Sequence, residues 1–152
     1  MSTKTARNTL MFLLAALGAG AIFGGAVLII SPSGKLFGMP LYLLKNSPFL
    51  DFLLPGLILF LLLGLAPGLL VIALLRKTES AFAEKFNMFS DMRWQWGYTI
   101  YMASILIVWI QAEMFFMQAV HWSHALYMVW AMAIIYMALL PQIRNLYRLK
   151  HS

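Results

Sequence analysis

"QAEMFFMQAVHWSH", residues 111–124, decides how many times this chain can cross a bilayer. From Tyr98 to Leu140 there is neither glycine nor proline. One helix of that length would run about 65 Å at 1.5 Å per residue, whereas a hydrocarbon core is only about 30 Å thick. The chain must turn back, and the only polar interruption is "HWSH", His121 to His124. Ser123 suits the N-cap of the returning helix, because a serine hydroxyl accepts from a first-turn amide. The stretch therefore predicts the turn of a membrane hairpin. It also sets Gln111, Glu113, Gln118, His121 and His124 in one of the most apolar parts of the chain.

Composition supports the membrane reading. Of 152 residues, 62% are hydrophobic and 11% charged, against about 25% charged in soluble domains. So few charges cannot cover a water-facing surface, so lipid is the expected solvent for most side chains. The absence of cysteine removes disulfides, thiolate metal sites and cysteine nucleophiles together. A formal charge of +6 raises nucleic acid as a partner. The basic residues lie between and beyond apolar runs rather than along one face, which argues for membrane orientation and against nucleic acid.

Four runs are long enough to span, at about 9–30, 52–75, 97–120 and 123–143. The first, preceded by Lys4 and Arg7, is longer than the 7–15 residues typical of a signal-peptide core and is expected to stay in the mature protein. Lys and Arg fall unevenly between the connections. Nine of them (Lys4, Arg7, Arg76, Lys77, Lys85, Arg93, Arg144, Arg148 and Lys150) lie on one side, and only Lys35 and Lys45 on the other. By the positive-inside rule both termini are cytoplasmic, and the 31–51 loop and the 121–124 turn face outward. The predicted fold is an all-α membrane protein: a single compact four-helix bundle over residues 1–152, with an interfacial outer loop and an amphipathic cytoplasmic connection.

In the outer loop Pro40 can begin a short helix, "PLYLLK". Ser47 is expected to cap a second start with Pro48 at its first position, and Asp51 then sits where a helix dipole favours a carboxylate. Capping explains Asp51, and ligand or ion binding is the alternative. Pro55 and Pro67 should kink or unwind the second span. In the inner connection Phe82, Phe86 and Phe89 share a helical face opposite Glu84, Asn87 and Asp91, which predicts a surface-lying helix. Trp94 and Trp96 are expected to anchor the third span at the interface. Gly20 and Gly24 in the first span, with Gly64 and Gly68 in the second, suit close helix approach. That approach packs two helices of one chain or forms a homodimer or larger membrane complex.

Glu113 is the only acidic residue inside a span. A charge at mid-membrane costs on the order of 3 kcal/mol, so Glu113 needs a partner, a proton or a ligand. Glu113, Met117 and His121 span about 80° of one helix face, with His124 just past the turn. Such a donor set suits zinc or copper, and a structural interfacial role for the two histidines is the alternative. Gln111 and Gln118, seven apart, are expected to hydrogen-bond to a neighbouring helix. Haem is disfavoured, because His121 and His124 share one turn and His151 lies at the opposite end. No Ser–His pair at depth, HExxH or phosphate loop is present. Ser104 should bond back to its own helix. No cofactor and no catalysis are expected.

Small multidrug transporters share the outline of four helices and one membrane glutamate, but theirs lies on the first helix, and here that helix has no charge, so their activity is not carried over. The stretch "SPSGKLFGMPLYLLKNSPFLDFLLPGLILF" resembles small four-helix integral membrane proteins of bacteria with no assigned activity, over roughly residues 20 to 75. That resemblance implies four spans and a bacterial inner membrane, and it transfers no site residue. The expected role is a non-catalytic accessory, scaffold or small-ligand-binding protein. The alternative is a small transporter or metal-binding protein using Glu113, His121 and His124.

Overall fold

The computed structural model describes residues 1–150, so His151 lies outside the described part. Helix α1 runs Thr3–Ile30 and is capped by Ser2, whose hydroxyl accepts from the Thr5 amide. A second long rod, Leu53–Arg76, joins α2 (Leu53–Ile58), a π-helical segment (Leu59–Leu65) and α3 (Ala66–Arg76). Short α4 (Ala81–Lys85) precedes the long α5 (Trp94–Met117), α6 (Trp122–Leu139) and short α7 (Pro141–Tyr147). Four helices are thus long and apolar enough to cross a membrane, and no strand occurs among the described residues.

The ends of these helices differ from the expected spans for local reasons. α1 starts six residues early because Ser2 caps it. α5 ends at Met117, where Gln118 takes the left-handed conformation (φ 50°) that closes a helix. The cap of α6 is His121, not Ser123, which sits inside the first turn. The last span stops at Leu139 because Leu140, preceding Pro141, turns extended (ψ 136°), and Pro141 opens α7. Pro67 lacks an amide proton and would press on the carbonyl one turn back. The rod widens to π geometry just ahead of it and continues as one helix.

The core runs the length of the bundle through Leu10, Leu14, Leu17, Leu63, Leu106 and Ile134. Of the glycines expected to bring the first two helices together, Gly64 does so, and its partners are others. A Cβ at Gly18 would lie 2.9 Å from the Gly64 carbonyl, and one at Gly25 would lie 2.8 Å from the Gly56 carbonyl and 2.7 Å from Phe60. Gly64 itself faces Ile22. Gly18, Gly25, Gly56 and Gly64 therefore pack α1 against the second rod within one chain. Cβ atoms at Gly20 and Gly24 would meet only side chains, Tyr127 at 4.0 Å and Leu59 at 3.5 Å, and one at Gly68 would meet nothing within 4 Å. Outward on the long helices stand Phe12, Phe23, Leu69, Val108, Val129 and Met132, all exposed.

At the end carrying the chain termini, an irregular connection over 77–93 is held by hydrogen bonds rather than by a long helix. α4 has only five residues, and then Asn87 donates to the Glu84 carboxylate (3.0 Å) and to the carbonyls of Phe89 (3.1 Å) and Met92 (2.8 Å). This breaks the expected three-phenylalanine face. Phe82 and Phe86 stay together, 75% and 55% exposed, while Phe89 turns inward onto Trp96 at 5.0 Å. The other Glu84 oxygen accepts the Trp94 amide at 3.1 Å and caps α5. Trp96 is not an interfacial anchor. It is 4% exposed and donates to the Ala138 carbonyl at 2.8 Å. Tyr147 is buried and donates to the Leu74 carbonyl at 3.1 Å. Burial pushes its phenol up from the usual range, with Arg7 pulling the other way, so it remains the protonated donor that this bond needs.

At the far end, the loop between α1 and α2 closes on itself. Gly34 (φ 75°) permits a tight turn into three-residue and four-residue 3-10 helices, Lys35–Phe37 and Leu41–Leu44. The second is the short helix expected after Pro40. Leu44 and Phe52 pack on Leu28 as a separate small core. The second long helix begins at Leu53, not Pro48. Ser47 bonds to the Leu44 carbonyl and the Phe49 amide instead.

Candidate functional site

Glu113 lies one turn before the end of α5, on the face turned towards α6. One carboxyl oxygen accepts the Trp109 indole N–H at 2.7 Å, an i, i+4 pair on one helix face. The other lies 3.6 Å from Nε2 of His124 on α6, close enough for electrostatic attraction but longer than a hydrogen bond. His124 is 6% exposed at its side chain and Glu113 33%. The His121 amide donates to Nδ1 of His124 at 3.0 Å, and the His124 amide returns to the His121 carbonyl. Because Nδ1 accepts, the ring proton lies on Nε2, the atom facing Glu113. The tight turn thus fixes both the position and the tautomer of His124.

Glu113 and Trp109 line two cavities. One, of about 120 Å³, lies between the four long helices and opens to one side at Gly20 and Tyr127, both exposed; Gly24 on α1 and Leu59 and Leu63 on the π segment also line it. The Tyr127 hydroxyl is 4.0 Å from where a Gly20 Cβ would stand and takes no hydrogen bond among the described residues. The second cavity, about 350 Å³, is a groove between the second rod, α5 and the far-end loop, with Phe52, Ile58, Leu62, Val108 and Phe116 among its walls. Its only polar groups are the Trp109 indole and Glu113. Neither lining contains lysine or arginine.

The other expected site residues are placed elsewhere. Gln118 donates to the Phe115 carbonyl of its own helix end, and Gln111 faces outward, so neither bridges to a neighbouring helix. Asp51 accepts the Leu53 amide at 2.9 Å and caps α2 from just outside it. His121 is exposed with its ring 5.6 Å from that of His124. Among the described residues no three His, Cys, Asp or Glu side chains gather as a metal site. Met117 lines the groove, and Ser104 bonds back to Ile100. Trp109 and Tyr127 were not among the expected site residues. Trp109 had a readable signal, its spacing of four from Glu113, whereas Tyr127 had none.

Comparisons of the chain with protein-family models, with curated proteins and with solved structures find no match. Fold and site together define an all-helical bundle with four membrane-length helices and one carboxyl group that lines both a cavity between the helices and a lateral apolar groove.

Proposed function

We propose that this is a multi-pass protein of a bacterial cytoplasmic membrane, non-catalytic, which binds a small amphiphile from the bilayer in the lateral groove with Glu113 as its polar anchor. The observation that carries this reading is the groove itself. Small-ligand sites are concave, mainly apolar and of about 300–1,000 Å³, with few polar groups to set orientation, and here Glu113 and its indole partner are those groups. Membrane insertion is supported by the four apolar helices and by the outward phenylalanine, leucine and valine side chains, which water would not favour over this area. The nine-to-two distribution of Lys and Arg supports cytoplasmic termini, with the far-end loop and Phe82 and Phe86 resting in opposite interfaces.

Orientation is tested by single cysteines, since the native chain has none. In whole cells a membrane-impermeant maleimide should label Lys35→Cys, and it should label Glu79→Cys only after lysis. Ligand binding is tested with tritiated 1-dodecanol and the protein in phosphatidylcholine nanodiscs. Saturable binding of one molecule per chain, lost on Ala112→Phe in the groove wall, is the expected result. Uptake equal to that of empty nanodiscs sinks the reading. Proton-coupled transport is a second reading, favoured by the approach of Glu113 and His124 from two helices. It requires Glu113→Gln to abolish proton movement in liposomes.

A further inference from the structure

We infer that the central cavity and the lateral groove form one bipartite site for a single-chain amphiphile with a small cationic head, of which a long-chain primary amine is the simplest member. This rests on the amphiphile-binding reading and adds to it the head group and its location. The alkyl chain lies in the groove, where every wall except the Trp109–Glu113 pair is apolar. The head passes beside Glu113 into the central cavity, which Glu113 and Trp109 also line.

Charge complementarity selects the head. Glu113 is the only carboxyl group lining either cavity among the described residues, and no lysine or arginine joins it. Its neighbours, the Trp109 indole and Nε2 of His124, are N–H groups. They offer hydrogen but no formal charge while Nδ1 accepts the His121 amide. A cation therefore has to come from the ligand, and in an apolar surrounding an ammonium–carboxylate contact is stronger than any neutral hydrogen bond. A fatty acid would place like charge on Glu113, and a neutral alcohol would give it a hydrogen bond but no opposite charge.

Space and a second polar group define where the head ends. The central cavity is large enough for an ammonium group with bound water. Its opposite wall carries the Tyr127 hydroxyl, which has no partner among the described residues and whose oxygen accepts from an ammonium. The room exists because α1 shows Gly20 and Gly24 to this side. Cβ atoms there would meet Tyr127 at 4.0 Å and Leu59 at 3.5 Å, ordinary contacts, so two added methyls narrow the cavity without forcing helices apart.

The test is displacement of tritiated 1-dodecanol from the full-length protein in phosphatidylcholine nanodiscs by dodecylamine, dodecanol and dodecanoate. In the native protein dodecylamine should displace at a concentration lower than dodecanol by about tenfold, the ratio set by one charge-assisted contact, and dodecanoate should be the weakest. Glu113→Gln should bring the amine-to-alcohol ratio to about one while dodecanol still binds. The Gly20→Ala/Gly24→Ala double variant should also lose the amine preference and keep dodecanol binding. Equal displacement by amine and alcohol in the native protein overturns the cationic head and leaves the amphiphile reading standing. A preference that survives in the double alanine variant overturns the central cavity as its seat. Absence of saturable dodecanol binding defeats the underlying reading and this inference with it.

Discussion

The two ends of the bundle use polar side chains in opposite ways. At the end carrying the termini, the irregular 77–93 connection and the last turns of α3 and α6 leave main-chain carbonyls that need donors. Gln95 and aromatic side chains supply them. Trp94 and Gln95 donate to the Thr78 carbonyl, Trp96 to Ala138, Tyr98 to Ala83, Tyr101 to Phe86 and Tyr147 to Leu74. At the far end the loop closes with its own 3-10 turns and with Ser47 and Asp51, and calls on almost nothing from the helices. Glu113 and Tyr127 are then left beside cavities, with Trp109 as the one short side-chain partner. Polar groups become structural where broken backbone lies within reach, and they stay available where a cavity takes its place.

If that contrast is correct, substitutions in the closed parts should cost stability and substitutions at the cavity should cost binding. The largest loss is expected at Gly25→Ala. Its Cβ would fall 2.7–2.8 Å from Phe60 and the Gly56 carbonyl, contacts with backbone that only movement of a whole helix can relieve. A cost of about 3 kcal/mol is expected, measured by reversible SDS-induced unfolding in mixed micelles. A loss under a third of that would mean that α1 and the second rod are less rigidly apposed. Trp96→Phe comes next. It keeps most of the ring but strands the Ala138 carbonyl, at a cost of about 1–2 kcal/mol in the same assay. No change would mean that water replaces the indole and that this end is less sealed than its hydrogen bonds imply.

The number of long helices was legible because bilayer thickness and chain rise leave no freedom: the 98–140 run had to fold back. The helix ends were less so. His121 displaced Ser123 as a cap because its amide reaches the His124 ring, and Pro141 ended α6 early through its effect on Leu140. The inner faces were least legible. In an apolar bundle, lipid-facing and core-facing positions use the same residues, so Gly20 and Gly24 look no different in sequence from Gly18 and Gly25. Trp96 looked like an interfacial tryptophan because only the fold reveals the Ala138 carbonyl beside it. The hairpin turn did foretell that Glu113 and His124 would be near each other. The groove depends on how the 39–52 loop folds over α5, and no local pattern encodes that.

The far end should respond in binding, not stability. Glu113→Gln keeps an oxygen for the Trp109 indole, so stability should stay within about 1 kcal/mol of the native value while the preference for dodecylamine disappears. A large stability loss would make Glu113 a structural group like Tyr147, and the contrast between the ends would fail. The smallest effect is expected at Gly24→Ala, next in sequence to the most damaging site. Its Cβ would meet only the Leu59 side chain at 3.5 Å, and alanine is the better helix former by about 1 kcal/mol. The variant should therefore match or slightly exceed the native protein in SDS resistance. The pair Gly24→Ala and Gly25→Ala then measures, one residue apart on α1, the step from a face that borders a cavity to a face that touches backbone. Equal losses at the two positions would mean that the central cavity closes up in the membrane, and that Glu113 faces packed helix rather than space.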